Sequence, residues 1–371
     1  MNRKYILFFS YLILFTSTNA LNQSDWGKIL KNNIKPKLYA ETYFGIDVLN
    51  EQSTTMPDFI FNHKRMKQVG LNSAIIGFDF DYRRVRSSVS FIAGNYATYN
   101  IIEPTGLNNI FEANFGYQLL KHHDLWLDAG VMESNLGFES VIASANNTMT
   151  RSLLAEGSPY YLNAAKLGYT THNEKWKFEL LVSNGWQKMV NGNVAFGHTV
   201  QYHPNEKWTI NSSSFVGDRT YLTVDNSIYQ IRDRFFHNFY VQRKTERTSF
   251  TIGVDFGTDF INEGDYFEQW EAYIAQFSYN FNDKLSAALR GEYFFDPGES
   301  VTNYSGVGGQ ELLAFSANLD IQLHELILLR FEGKYMENRP QYYTIYPTLY
   351  SGIPQEFVYL GTSLSIDLWN H

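Results

Sequence analysis

The chain has 371 residues, no cysteine and a net charge of −8, with 17% aromatic side chains drawn mostly from 26 Tyr and 29 Phe. An acidic balance argues against a nucleic-acid partner, and the absence of cysteine excludes a disulfide framework as the device that holds the fold. Mean hydropathy is negative and no segment after the N-terminus offers 18 consecutive apolar residues, so no membrane helix is expected.

Arg3 and Lys4, an apolar run from Tyr5 to Phe15 and the small residues Thr18 and Ala20 read as a secretory signal over residues 1–20. The run is too short for a spanning helix, which takes about 20 apolar residues. Removing it takes away two positive charges and no acid, leaving −10. In residues 21–34, Trp26, Ile29, Leu30 and Ile34 lie at helical spacing, but a frayed periplasmic leader is the favoured expectation.

From residue 35 to the end at 371, one domain is expected, built from strands in which successive side chains point to opposite faces. The predicted strands are 35–46, 70–83, 86–99, 110–121, 123–133, 158–172, 174–186, 193–204, 206–216, 231–243, 246–257, 268–281, 283–295, 310–323, 326–337 and 355–368. The alternation is cleanest late in the chain. Leu313, Phe315, Leu319 alternate with Ser316, Asn318, Asp320, and Ile327, Leu329, Phe331 alternate with Leu328, Arg330, Glu332. Short polar connections such as His172-Asn173-Glu174-Lys175 and Pro204-Asn205-Glu206-Lys207 alternate with long ones at 47–69, 100–109, 134–157, 217–230, 258–267, 296–309 and 338–354, and a shorter one at 187–192. Tight turns at one end and long loops at the other describe an all-β transmembrane antiparallel barrel with short periplasmic turns and long extracellular loops. Sixteen strands is the count, and one misread hairpin would make it fourteen or eighteen. Trp126, Trp176, Tyr202, Trp208, Tyr279 and Phe281 stand near the turns, where such a barrel places its aromatic girdle.

Charges that alternation sends inward are Lys166, Glu179, Arg234, Arg290, Glu292, Arg330, Glu332 and Lys334. Facing lipid at mid-depth, an Arg or Lys would cost about 2–4 kcal/mol, so these are expected to line a polar lumen. A barrel of about sixteen strands is too wide for side chains to fill, leaving an aqueous channel. An inward position such as Asn318 should accept a further charge. Loop 134–157 is long and carries Leu136, Phe138, Val141, Ile142, Leu153 and Leu154, which favours folding inward over a surface cap. Arg151, Glu139 and Glu156 are its candidate constriction charges.

Catalysis and metal binding have weaker support. No His is followed two positions later by Ser, although His198 shares an outward series with Ser212 and Ser214 on the next strand. His122-His123-Asp124 is a tight turn without further ligands nearby, and the acidic stretch Asp255, Asp259, Glu263, Asp265 lacks calcium-loop spacing. No enzyme activity and no cofactor or metal is expected.

Gly137-Phe138-Glu139-Ser140, with Thr150-Arg151-Ser152-Leu153-Leu154 and Ser158-Pro159-Tyr160-Tyr161, resembles the OmpL-like putative beta-barrel porin-2 family of outer-membrane proteins found in Bacteroidetes. The resemblance implies a Gram-negative outer-membrane channel and transfers no catalytic or substrate-binding residue. The expected function is passive diffusion of small hydrophilic solutes, with outer-membrane lipids around the barrel; a homotrimer is one possibility, by analogy with sixteen-stranded porins, and the sequence leaves the solute and the oligomeric state open. The rival readings are a non-conducting surface or adhesion barrel and, behind it, an outer-membrane lipid hydrolase.

Overall fold

A computed structural model describes residues 23–101, 103–224, 227–261, 266–302, 309–339 and 356–369. The signal segment 1–20, Glu263, Asp265 and most of loop 338–354 lie outside them. Sixteen strands follow one another: β1 Ile34–Asp47, β2 Gly70–Tyr82, β3 Val85–Ala93, β4 Ile110–Gln118, β5 Asp124–Glu133, β6 Tyr161–Thr170, β7 Trp176–Ser183, β8 Ala195–Tyr202, β9 Trp208–Val224, β10 Ser227–Lys244, β11 Thr248–Ile261, β12 Tyr266–Asn282, β13 Leu285–Asp296, β14 Gln310–His324, β15 Ile327–Asn338 and β16 Glu356–Asp367. Each pairs with its sequence neighbours, and β1 pairs antiparallel with β16, so the sheet closes into a barrel and no edge strand remains. No helix among the described residues is long and apolar enough to cross a membrane; the crossing is made by strands.

Three of the short turns share one local device. In Asn173-Glu174-Lys175, Asn205-Glu206-Lys207 and Asn282-Asp283-Lys284, the Asn side-chain oxygen accepts the backbone N–H of the Lys two residues on, at 3.1, 3.0 and 2.9 Å. This Asx turn satisfies a backbone donor that the ladder no longer reaches, and so fixes where each hairpin reverses. At the other end, the predicted loops 217–230 and 258–267 are largely strand: β9 runs to Val224, β10 begins at Ser227, β11 runs to Ile261 and β12 begins at Tyr266. Cross-strand pairing continues there beyond membrane length. Asp255 and Asp259 accordingly stand on β11 rather than in a loop. Residues 23–33 form a helix, α1 (Gln23–Asn33), that leads directly into β1 instead of a frayed leader. The predicted third strand stops early, because Gly94 adopts φ 117° and starts a short helix, α2 (Asn95–Asn100).

The closing seam carries an aromatic inlay. Gly45 on β1 pairs with Gly361 on β16, and the Tyr359 ring lies over both, so close that a Cβ at either glycine would fall within 2.5 Å of a ring atom. A side chain at either position would displace the ring, which is fully buried. A Cβ on Gly361 would also come 2.6 Å from Met149 of loop 134–157, which therefore reaches the seam from inside.

Alternation holds on the outer wall. Phe315, Leu319, Phe331, Leu360 and Leu364 are exposed, while Ala314, Ser316, Asn318, Arg330, Glu332 and Ser363 between them are buried. Trp126 is a correction. It shares a face with Asp128, and Arg86 pairs with Asp128 at 2.6 Å while its guanidinium lies 4.1 Å from the Trp126 ring centre. The carboxylate must face inward, and a residue two positions away follows it. Trp176 and Tyr202 stack on the outside with ring centres 4.4 Å apart, as a girdle requires.

Candidate functional site

The inner wall of β13–β15 is a ladder of alternating charge. Arg290 donates to Glu292 at 2.9 Å, Lys334 reaches the same carboxylate at 3.4 Å, and Arg330 holds Asp320 with two bonds of 2.8 and 2.9 Å. Cross-strand register makes this arithmetic possible: Arg290, Ser316 and Lys334 are in line, as are Asn318 with Glu332 and Asp320 with Arg330. Buried charges need partners of this kind. Several of these side chains, Arg290, Arg330, Glu292 and Glu332 among them, also reach loop 134–157.

The loop is held by its backbone. Arg330 donates to the carbonyls of Ala143 (2.5 Å), Asn146 (2.9 Å) and Thr148 (3.2 Å). Arg290 donates to the Thr148 hydroxyl and to the carbonyls of Thr150 (2.7 Å) and Arg151 (3.3 Å). In the opposite sense Glu332 accepts Thr150 N–H at 2.6 Å, Glu292 accepts Leu153 N–H at 2.5 Å, and Asn318 accepts Met149 N–H at 3.0 Å. Segment 143–153 thus lies inside the barrel against β13–β15, with its irregular backbone paired to wall side chains. Asn318 is covered by it, which corrects the expectation that this position would accept a charge.

The loop also supports itself. A one-turn helix, α3 (Leu153–Glu156), is capped by Ser152, whose hydroxyl accepts Ala155 N–H at 3.1 Å. Glu139 accepts Ser152 N–H at 2.8 Å and the Ser152 hydroxyl at 3.0 Å. Arg151 is 4% exposed; its guanidinium lies over Tyr160, 3.8 Å from the ring centre, and donates to the Glu139 carbonyl at 3.2 Å. Tyr160 donates its hydroxyl proton to Glu156. Burial pushes the Glu156 carboxyl above its usual range, more than the nearby Arg151 pulls it down.

The remaining inward charges sit elsewhere on the wall. Lys166 on β6 pairs with Glu179 on β7 at 3.2 Å, and Glu179 also accepts from Asn135 at 2.8 Å, tying down the start of the loop. Arg234 on β10 grips Asp259 with bonds of 2.8 and 2.9 Å and lies between Trp186 and Trp270, at 4.8 and 4.7 Å. On β1–β6, Lys37 bridges Asp79 (2.7 Å) and Glu112 (3.1 Å). Beside that bridge is a cavity of about 390 Å³ lined by Lys35, Asp79, Asp81, Arg86, Glu112, Asp128, Glu133 and Lys166. Among the described residues no group of three or more His, Asp or Glu stands in position to hold a metal ion.

A second inner loop escaped sequence reasoning. The middle of segment 48–69 enters the barrel while its ends stay exposed, and Met56, Phe59, Ile60 and Met66 pack in one apolar cluster with Leu136, Met149, Leu153 and Leu154. His63 anchors the loop: its Nε2 lies 3.1 Å from Glu41 of β1, and its N–H donates to Asn72 of β2 at 2.8 Å. Asn72 in turn donates to Glu41 at 2.7 Å. Lys64 donates to the carbonyls of Met56 (2.9 Å) and Pro57 (2.7 Å), and burial pushes its ammonium down against the pull of Asp58. The wall opposite these loops is apolar, with Leu162, Leu181, Phe215, Phe236, Trp270, Phe294, Leu312, Met336 and Phe357 all buried and inward. A polar lumen is expected around the inward charges; toward the loop end, the inside wall is instead an apolar packing surface for two loops. The signal was available, since Met56, Phe59, Ile60 and Met66 are as out of place in a solvated loop as Leu153 and Leu154.

A family profile described as "Putative beta-barrel porin-2, OmpL-like" matches residues 33–350, nearly the whole barrel. The chain belongs to that family. It is an outer-membrane β-barrel of the porin type. Solved structures similar in fold are distant in sequence. The outer membrane channel DcaP of Acinetobacter baumannii superposes with a TM-score of 0.60 at 10% identity, covering 90% of this chain and 97% of that one. The anion-selective porin from Comamonas acidovorans gives 0.56 at 7% identity, covering 90% and 99%. A trimer form of OmpT from Vibrio cholerae gives 0.57 at 6% identity, covering 90% and 98%. At such identities the likeness is one of fold. No curated protein matches the sequence.

Proposed function

We propose that this porin-2 barrel is a passive diffusion channel for small hydrophilic solutes, without catalytic activity or coupling to an energy source. The observation that carries the reading is the charged cavity on the β1–β6 wall, beside a loop that is fastened to the facing wall. Solutes would pass between that wall and the loop, selected by width and by the alternating charges of Lys37, Asp79, Arg86, Glu112 and Asp128. Arg151, Glu139 and Glu156 act in this scheme by holding the loop's shape, through contacts among themselves and with Ser152, Tyr160 and Arg290.

A non-conducting surface barrel is the second reading, favoured by the apolar packing of both inner loops against the wall from β6 to β16. Single-channel recording of the purified chain in a planar bilayer separates the two. Discrete ohmic steps support the channel, and silence from correctly folded protein supports the surface barrel.

A further inference from the structure

The outer wall presents apolar residues to the membrane, and one stretch departs from this. On β8–β10 the register sets His198 opposite Ser214 and Ser214 opposite His237. Ser212 stands two residues along on the same face. All four point outward, because Thr199, Asn211, Ser213 and Asn238 beside them in sequence are the buried ones. Ser214 Oγ and His237 Nδ1 are 2.7 Å apart. Around the row, Leu180, Phe196, Val216 and Phe239 are exposed.

The row lies at hydrocarbon depth. His198, Ser214 and His237 are four, six and seven residues in from the turn ends of β8, β9 and β10. At about 3.3 Å per residue and a tilt near 40°, that is roughly 10–18 Å into an apolar band about 25 Å tall. A Ser–His pair is also the beginning of an acyl-transfer site, but lipid esters lie at the edges of this band.

We propose that this row is the contact face between two copies of the chain related by a two-fold axis. Polar groups left unpaired in hydrocarbon are costly, and Ser and His side chains bonded across an interface are a means by which membrane proteins associate. A neutral imidazole carries one donor and one acceptor, and a hydroxyl does both. The row is therefore complementary to itself, as a two-fold contact requires. A contact with a different face would need a second polar patch with spare groups at similar depth. Elsewhere on the described wall, the outward hydroxyls of Thr42, Ser87 and Thr362 are already given to the barrel's own carbonyls at Leu364 (3.5 Å), Asn114 (2.8 Å) and Arg330 (2.9 Å).

The test uses the full mature chain, purified in detergent and in lipid nanodiscs, with mass measured by light scattering. The wild type is expected at twice the chain mass, and the double variant His198→Leu, His237→Leu at half that value with the heat-modifiable gel migration of a closed barrel retained. The chain has no cysteine, so single cysteines report contacts directly. Ser212→Cys should give a covalent dimer under mild oxidation, while Leu319→Cys on β14 should not, and this comparison decides the matter if the double variant fails to fold. A monomeric wild type, a trimer indifferent to the double substitution, or equal cross-linking at both cysteines would overturn the proposal.

Discussion

Arg330 holds Asp320 across β14 and β15 through two bonds of 2.8 and 2.9 Å, and the same guanidinium reaches the loop at the carbonyls of Ala143 and Asn146. One side chain therefore joins wall to wall and wall to loop. Arg330→Ala should destabilise the barrel by about 3–5 kcal/mol, the range for breaking a buried pair from one side. It should also raise single-channel conductance by releasing residues 143–150. Arg330→Lys should recover little, because an ammonium lacks the planar fork that serves Asp320 and three loop carbonyls at once. Denaturant titration and bilayer recording read the two effects, and unchanged conductance would remove the loop from the permeation path.

Arg151 is committed to Tyr160 and to the Glu139 carbonyl. Arg151→Ala should therefore add open-channel noise and leave ion selectivity unchanged. A clear shift toward cations in reversal-potential measurements would instead put its charge in contact with permeating ions.

Position 331 faces lipid and position 318 faces the loop. Phe331→Arg should cost about 2–4 kcal/mol if near the midplane. Asn318→Arg should do its damage by another route: a guanidinium cannot accept Met149 N–H, so the loop is expelled and becomes sensitive to protease. Equal protease resistance in the two variants would contradict this assignment of faces.

Burial raises the Glu156 carboxyl, so the folded state favours its neutral form. The associated stability is complete below the ordinary carboxylate range and declines as pH rises through the raised value. Thermal unfolding between pH 4 and pH 8 should show this decline in the wild type and a flatter profile in Glu156→Gln. Parallel profiles would assign the pH dependence to other groups.

Orientation is open to labelling, since any introduced cysteine is the sole one. Gln52→Cys at the loop end should react with an impermeant maleimide on intact cells, and Asn205→Cys in a tight turn only after permeabilisation. The reverse pattern would invert the barrel.

The strands were legible because period-two alternation and Asn-x-Lys turns are local properties, and local geometry decides them. The inward charges of β13–β15 were legible because a charge facing lipid is expensive. Less legible was what those charges do: Arg290 and Arg330 look in sequence like lumen lining, and only the fold brings Thr148 and Ala143 to them. Trp126 was misplaced by proximity to a turn, although Asp128 two residues away carried the parity that orients it. The inner course of residues 48–69 depends on Glu41 and Asn72 meeting His63, and side chains on separate strands leave no periodic trace.

Tyr359 over Gly45 and Gly361, with Met149 against Gly361, joins the first strand, the last strand and the middle of the chain at one point. A nascent chain reaches residue 149 long before residue 361, so Met149 must wait for its resting place until the last strand has arrived. Ser144, which donates to Asp367 at 2.6 Å, waits for the same strand. Closure of the cylinder and the last step of seating the inner loop thus coincide, governed by the slow search that distant contacts impose. A chain truncated before β16 would keep the loop's anchors on β13–β15 but lose closure together with the seam contacts of Met149 and Ser144.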